Sequence, residues 1–267
     1  MFQVKALITE NRVLGPEYYG LSFLAPDIAR EAKPGQFIQM EVAAPESVDP
    51  ILPRPISIYR IREKEGTIQV IFKTVGRGTR LLAAKKIGEL IGIRGPLGNG
   101  FSIPDEVKNP ALIAGGIGMP PLFCLAEELK KSRANARPGL QKISLFYGGR
   151  TKRDLLELDA WTGLGAEIFP ATEDGSYGAR GFITEVFQDA RTQKAFDYIV
   201  ACGPQPMLQA VQKIAQMFQI PGQISMESYM ACGVGACLGC VHETKSGYKR
   251  VCLEGPVFGI DEVADYS

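Results

Sequence analysis

Residues 111–122 read Ala111-Leu-Ile-Ala-Gly115-Gly116-Ile-Gly118-Met-Pro120-Pro121-Leu122. A short apolar run meets a glycine-rich turn, and two prolines then open a helical stretch, where a missing N–H costs nothing. The rhythm of the chain changes at this point. Downstream, apolar strands at 111–114, 143–147, 168–171 and 198–201 alternate with helical patterns at 120–132, 182–190 and 205–218. Strand–helix alternation of this kind builds a parallel α/β sheet. Upstream, alternating or β-branched runs occupy 3–9, 19–24, 36–42, 55–60, 67–75 and 89–94, punctuated by turns such as Pro34-Gly35 and Gly95-Pro96. One short helix pattern, 81–86, interrupts them. About six short strands in about a hundred residues predict a small antiparallel barrel. Beyond residue 222 the chain is rich in glycine and cysteine and short of helix signal. The expected organisation is therefore a β-barrel over 1–102, an α/β domain over 103–222 and a small lobe over 223–267.

With 267 residues, 45% of them hydrophobic, there is material for two cores and an appendage. Thirty basic residues against 29 acidic ones leave a net charge of +1, which is no footprint for nucleic acid. The N-terminal stretch lacks the layout of a signal peptide, and no apolar run is long enough to span a bilayer. A cytoplasmic protein with neither membrane nor nucleic acid as partner is expected. The single histidine, His242, removes most chemistry that needs a histidine base.

Four of the six cysteines fall in one segment: Cys232-Gly-Val-Gly-Ala-Cys237-Leu-Gly-Cys240, then eleven residues, then Cys252. This C-x4-C-x2-C…C spacing is the plant-type 2Fe–2S pattern. Three thiolates must converge from one tight loop, and Gly233, Gly235 and Gly239 allow the backbone to curl and aim N–H groups at sulfur. Zinc is the competing reading, but zinc sites favour paired C-x2-C hooks, and only Cys237 and Cys240 have that form.

Two motifs in the barrel point to a flavin. Arg54-Pro55-Ile56-Ser57 opens a strand with a guanidinium fork suited to a pyrophosphate and a hydroxyl three residues on. Gly76-Arg-Gly78-Thr79 precedes the short helix pattern, where backbone N–H groups face phosphate; an ordinary turn with Thr79 as cap is the alternative. In the α/β region, Gly115, Gly116 and Gly118 form a dinucleotide-type loop whose spacing is not G-x-G-x-x-G. Glu173 and Asp174 follow the third strand, where carboxylates accept from the 2′-OH of NAD and repel the 2′-phosphate of NADP. A solvated turn is the competing reading of that pair. Cys202-Gly203 ends the fourth strand, so Cys202 either packs there or lies beside a nicotinamide ring.

These motifs, in this order, resemble the ferredoxin reductase superfamily. The stretch Glu227–Cys240, together with Val251-Cys252-Leu-Glu-Gly-Pro-Val-Phe258, is similar to the electron-transfer subunits of class 1B dihydroorotate dehydrogenase. The resemblance implies FAD on Arg54–Ser57, on Ile71-Phe72-Lys73 and on Gly78-Thr79, with NAD on the α/β domain and the cluster on the four cysteines. It also implies a partner, an FMN-containing subunit that oxidises dihydroorotate to orotate in pyrimidine biosynthesis, and a heterotetramer. Ile56 stands where wider relatives often carry an aromatic residue. Two alternatives remain: a reductase subunit of a sulfhydrogenase or of a ferredoxin:NADP oxidoreductase, and a cluster protein that senses redox state.

Overall fold

The computed structural model describes residues 1–43, 47, 49–135 and 139–264, without the side chains of 133–135. The chain forms two compact units. The first comprises Met1–Gly100, Glu227–His242 and Arg250–Pro256; the second comprises Phe101–Met226, Glu243–Lys249 and Val257–Ser267.

In the first unit, strands β1 (Phe2–Val13), β2 (Tyr18–Leu24), β3 (Phe37–Met40), β4 (Arg54–Arg62), β5 (Thr67–Lys73) and β6 (Leu90–Leu97) close a barrel in the order β1-β2-β5-β4-β3-β6. Every pairing is antiparallel. All six strands coincide with the expected β runs. In β6, Ile91, Ile93, Gly95 and Leu97 are buried and their neighbours are not, the period-2 signature of a strand with one face on a core. Two helices differ from expectation. Helix α1 (Pro26–Glu31) has no long apolar stripe and was not expected. Helix α2 runs Arg77–Ala83, not 81–86. Thr79 is its third residue, and its Oγ1 accepts from the N–H groups of Val75 (2.9 Å) and Gly76 (3.2 Å). Satisfying those two donors starts the helix four residues early.

In the second unit, β7 (Pro110–Gly115), β8 (Ser144–Gly149), β9 (Glu167–Thr172), β10 (Ala179–Arg180), β11 (Tyr198–Cys202), β12 (Gly222–Ser225) and β15 (Val257–Gly259) form one sheet in the order β10-β9-β8-β7-β11-β12-β15. All neighbours are parallel except β12–β15. Strands β7 and β11 are buried along their whole length, as parallel strands covered on both faces must be. Helices α3 (Met119–Asn135), α5 (Ile183–Arg191) and α6 (Gln205–Phe218) match the expected ones closely. Helix α4 (Leu158–Leu164) was not expected: it is seven residues long and carries Gly163, yet it buries Trp161 edge-on against Phe123 at 5.0 Å. Strands β13 (Val241–Thr244) and β14 (Gly247–Arg250) form a hairpin. Among the described residues no helix is long and apolar enough to cross a membrane.

Candidate functional site: a cysteine loop, a flavin-type cradle and a sheet edge

The cysteine segment folds with its sulfurs as hydrogen-bond acceptors. Cys232 Sγ accepts from the N–H groups of Val234 and Cys237, each at 3.4 Å. Cys252 Sγ accepts from Gly235 N at 3.1 Å, and Cys240 Sγ from Cys252 N at 3.5 Å. Gly233 (φ 68°) and Gly235 (φ 80°) supply the left-handed turns that aim these donors. Gly239 does not; Leu238 takes the positive φ (58°) instead.

The cysteines are joined in two pairs through the backbone: the N–H of Cys237 donates to Cys232 Sγ, and the N–H of Cys252 to Cys240 Sγ. The backbone N–H of Val234 first, and that of Cys237 after it, pull the Cys232 thiol down to about 6. Burial first, and the adjoining Cys240 thiol second, push Cys252 up to about 12. Cys240 and Cys252 are buried, Cys232 is half-buried and Cys237 is exposed. Two thiol pairs ringed by N–H donors fit a binuclear iron–sulfur group, in which each iron takes two cysteines. His242 is half-buried and its pKa is lowered by that burial.

Long side chains tie the loop to the rest of its unit. Arg250 Nη1 donates to Gly235 O at 2.9 Å, and its Nε lies 3.0–3.1 Å from both carboxylate oxygens of Glu254. That guanidinium pulls Glu254 down to about 2. Asn99 donates from its backbone to Gly255 O (2.6 Å) and from its side chain to Glu254 O (2.8 Å). Arg94 Nη1 reaches Cys232 O at 3.3 Å.

Elsewhere in the first unit the structure brings the two barrel motifs together. A Cβ on Gly78 would lie 2.7 Å from Arg54 Nε, so the guanidinium lies directly against this glycine. Arg54 Nη1 donates to Leu52 O at 2.6 Å. Pro55, Ile56 and Ser57 follow along β4 and are half-buried; Ser57 pairs in register with Phe37 and Ile56 with Ile38. Ile71 and Phe72 are buried in β5. Phe72 stacks on Tyr19 at 6.1 Å, and Lys73 ends the strand paired with Glu17 at 3.4 Å.

In the second unit the register Cys202↔Ala114, Gly115↔Gly148 and Gly149↔Thr172 puts four strand ends on one edge of the sheet. The strand order reverses between β7 and β11, the position where open α/β sheets form a ligand crevice. The turns after β7 and β11 interlock. A Cβ on Gly118 would sit 2.2 Å from Cys202 O, one on Gly115 would sit 2.7 Å from Met207 Sδ, and one on Gly203 would sit 2.9 Å from Gly115 N. Gly116 alone in this turn has open space around it, at φ 50°. Glu173 and Asp174 are exposed on the turn after β9. Asp174 Oδ1 accepts from Ser176 N at 2.9 Å, and its hydrogen bonds to Ser176 lower its pKa. Cys202 is buried.

Reasoning from sequence missed Gln39. It lies 2% exposed in β3, against Gly233 of the cysteine loop.

Comparison with known proteins agrees with these features. Residues 227–264 match the iron–sulfur cluster binding domain of dihydroorotate dehydrogenase B, and residues 112–213 match the oxidoreductase NAD-binding domain. The chain is 37% identical over 250 residues to the dihydroorotate dehydrogenase B (NAD+) electron transfer subunit of Desulforamulus reducens, covering 92% of each chain. It is 38% identical over 262 residues to that of Bacillus caldolyticus, covering 96% of each. A solved NADH-dependent reduced ferredoxin-NADP oxidoreductase, studied for flavin-based electron bifurcation, superposes with a TM-score of 0.85 at 26% identity, over 98% of this chain and 90% of that one. At this identity over nearly its full length, with the cysteine lobe and the parallel sheet each matched separately, the chain belongs to the electron transfer subunits of NAD+-dependent dihydroorotate dehydrogenase B.

Proposed function

We propose that this chain carries electrons from an FMN-containing subunit that oxidises dihydroorotate to NAD+, in cytoplasmic pyrimidine biosynthesis, as one of the two subunit types of a heterotetramer. The observation that carries this reading is the pairing of the four cysteines through backbone N–H groups, Cys237 N on Cys232 Sγ and Cys252 N on Cys240 Sγ. When bound, a flavin exchanges hydride with nicotinamide and single electrons with an iron–sulfur group, so the chain itself needs no acid–base residue.

Its residues bind and orient. Cys232, Cys237, Cys240 and Cys252 hold the 2Fe–2S group. Arg54 with Gly78 and Thr79 holds the FAD pyrophosphate, while Pro55, Ile56, Ser57 and Ile71–Lys73 flank the flavin. Gly115, Gly116, Gly118, Cys202 and Gly203 shape the nicotinamide end of the sheet edge, and Glu173 and Asp174 receive the ribose and favour NAD over NADP. Exposed Cys237 neighbours exposed Leu238, and Tyr229 and Leu253 of the same unit are also exposed, apolar groups suited to contact with the catalytic partner.

The test is an anaerobic visible and EPR titration of the purified chain with NADH, then NADPH, and co-purification with the partner. Flavin bleaching followed by a reduced 2Fe–2S signal, with a dihydroorotate-oxidising flavoprotein in the complex, is expected. A hydrogenase or a second large flavoprotein in the complex would overturn the partner assignment. A bound cluster that NADH cannot reduce, with no flavin absorbance, would favour a sensor.

A further inference from the structure

Gln39 lies in the middle of β3, where it pairs in register with Pro55 on one side and Arg94 on the other. Strand alternation alone sends such a polar residue to solvent. Instead it is 2% exposed, and neither its Oε1 nor its Nε2 has a hydrogen-bond partner among the described residues. A buried amide without partners has given up its hydrogen bonds to water with nothing in return. The side chain is pressed against the cysteine loop: a Cβ on Gly233 would meet Gln39 Nε2 at 2.7 Å, Cγ at 2.8 Å and Cδ at 3.1 Å.

The adjacent polar groups are engaged elsewhere. Arg94, directly across from Gln39, donates to Cys232 O at 3.3 Å and to Gln3 Oε1 at 3.2 Å. The Cys232 sulfur already takes N–H groups from Val234 and Cys237. Cys232 O and Cys232 Sγ, the loop acceptors next to Gly233, are thus already engaged by other donors, and the Gln39 amide is bonded to neither. What the loop lacks is the electron-rich group its four thiols are built to hold.

We propose that Gln39 is a positioning residue of the iron–sulfur site, with its Nε2 donating a hydrogen bond to a sulfur of the group bound by Cys232, Cys237, Cys240 and Cys252. This rests on the reading of those cysteines as 2Fe–2S ligands. An N–H donor on sulfur favours the reduced, more negative state and so raises the potential.

The experiment compares the wild-type complex with Gln39→Met, which keeps the volume and loses both polar atoms, in an EPR-monitored redox titration. The wild type must first show a 2Fe–2S signal; without one, the cysteine reading itself fails and the question of Gln39 does not arise. With the signal present, Gln39→Met is expected to shift the cluster to lower potential. The reduced-to-oxidised ratio at a fixed ambient potential should fall on the order of tenfold, and the EPR line shape should change. Coincident titrations, or a shift confined to the flavin bands, would overturn the assignment. Should the variant lose its cluster, wild-type protein carrying side-chain 15N-glutamine decides by pulsed EPR of the reduced state. A coupled amide nitrogen is expected, and its absence would overturn the proposal.

Discussion

Two glycine-rich loops carry the chemistry of the two units, and their glycines serve opposite ends. In the cysteine loop, Gly233 and Gly235 adopt positive φ so that backbone N–H groups turn toward sulfur. In the loop after β7, Gly115 and Gly118 are glycines because another segment leaves no room for a side chain. Gly116 combines a positive φ with empty space. The first loop is shaped around something it will hold. The second is shaped around its own neighbours and leaves one position open. A glycine count cannot separate these cases, but substitutions can.

The largest expected effect is on the first loop. Cys240→Ser replaces a buried thiol whose sulfur accepts from Cys252 N. It should abolish the 2Fe–2S absorbance and EPR signal entirely. NADH should still reduce the flavin, because the sheet edge of the second unit is untouched. Concurrent loss of NADH-dependent flavin reduction would break the proposed independence of the two loops.

Next comes the close-packed loop. Gly118→Ala places a methyl 2.2 Å from Cys202 O, a backbone atom that cannot move aside without disturbing β11. We expect a loss of about 3 kcal/mol or more, read as a lowered urea midpoint. Gly116→Ala meets no atoms and pays only for its positive φ, about 1 kcal/mol. Its larger effect should be a raised KM for NADH, since the methyl enters the open space. Equal stability losses in the two variants would remove the distinction between packing glycine and open glycine.

The sequence made the architecture legible because both patterns are local. Period-2 runs announced the barrel strands, and strand–helix alternation announced the parallel sheet. The cysteine spacing was equally plain. Short elements were not legible: α4 is seven residues with a glycine, and β15 is three residues that pair with β12 through tertiary contact alone. Gln39 was invisible for a different reason. In Phe37-Ile38-Gln39-Met40 it is one polar residue at an alternating position, and in the fold the cysteine loop, from the far end of the chain, lies against it. Asp174 was legible only as a residue type: the sequence offers a carboxylate at this turn, and the structure adds that its Oδ1 accepts from Ser176 N.

The smallest effect concerns how each unit holds its charged side chains. Arg250 and Glu254 brace the cysteine loop, whereas the second unit has Lys194, whose Nζ lies 2.7 Å from both Glu167 Oε2 and Ser144 Oγ. The hydrogen bond from Lys194 holds the Glu167 carboxyl below its usual range. A carboxyl lowered by folding contributes stability above its unfolded pKa, and that contribution is lost as pH falls through the folded value. The partners are 32% and 40% exposed, so solvent screening limits the gain to a few tenths of a kcal/mol. Urea midpoints of the wild type and Glu167→Gln should therefore differ slightly at neutral pH and converge below the ordinary carboxylate range. A gap that persists undiminished in acid would show that Glu167 acts through packing rather than charge. Ser144 would then be the group that fixes Lys194 at the start of β8.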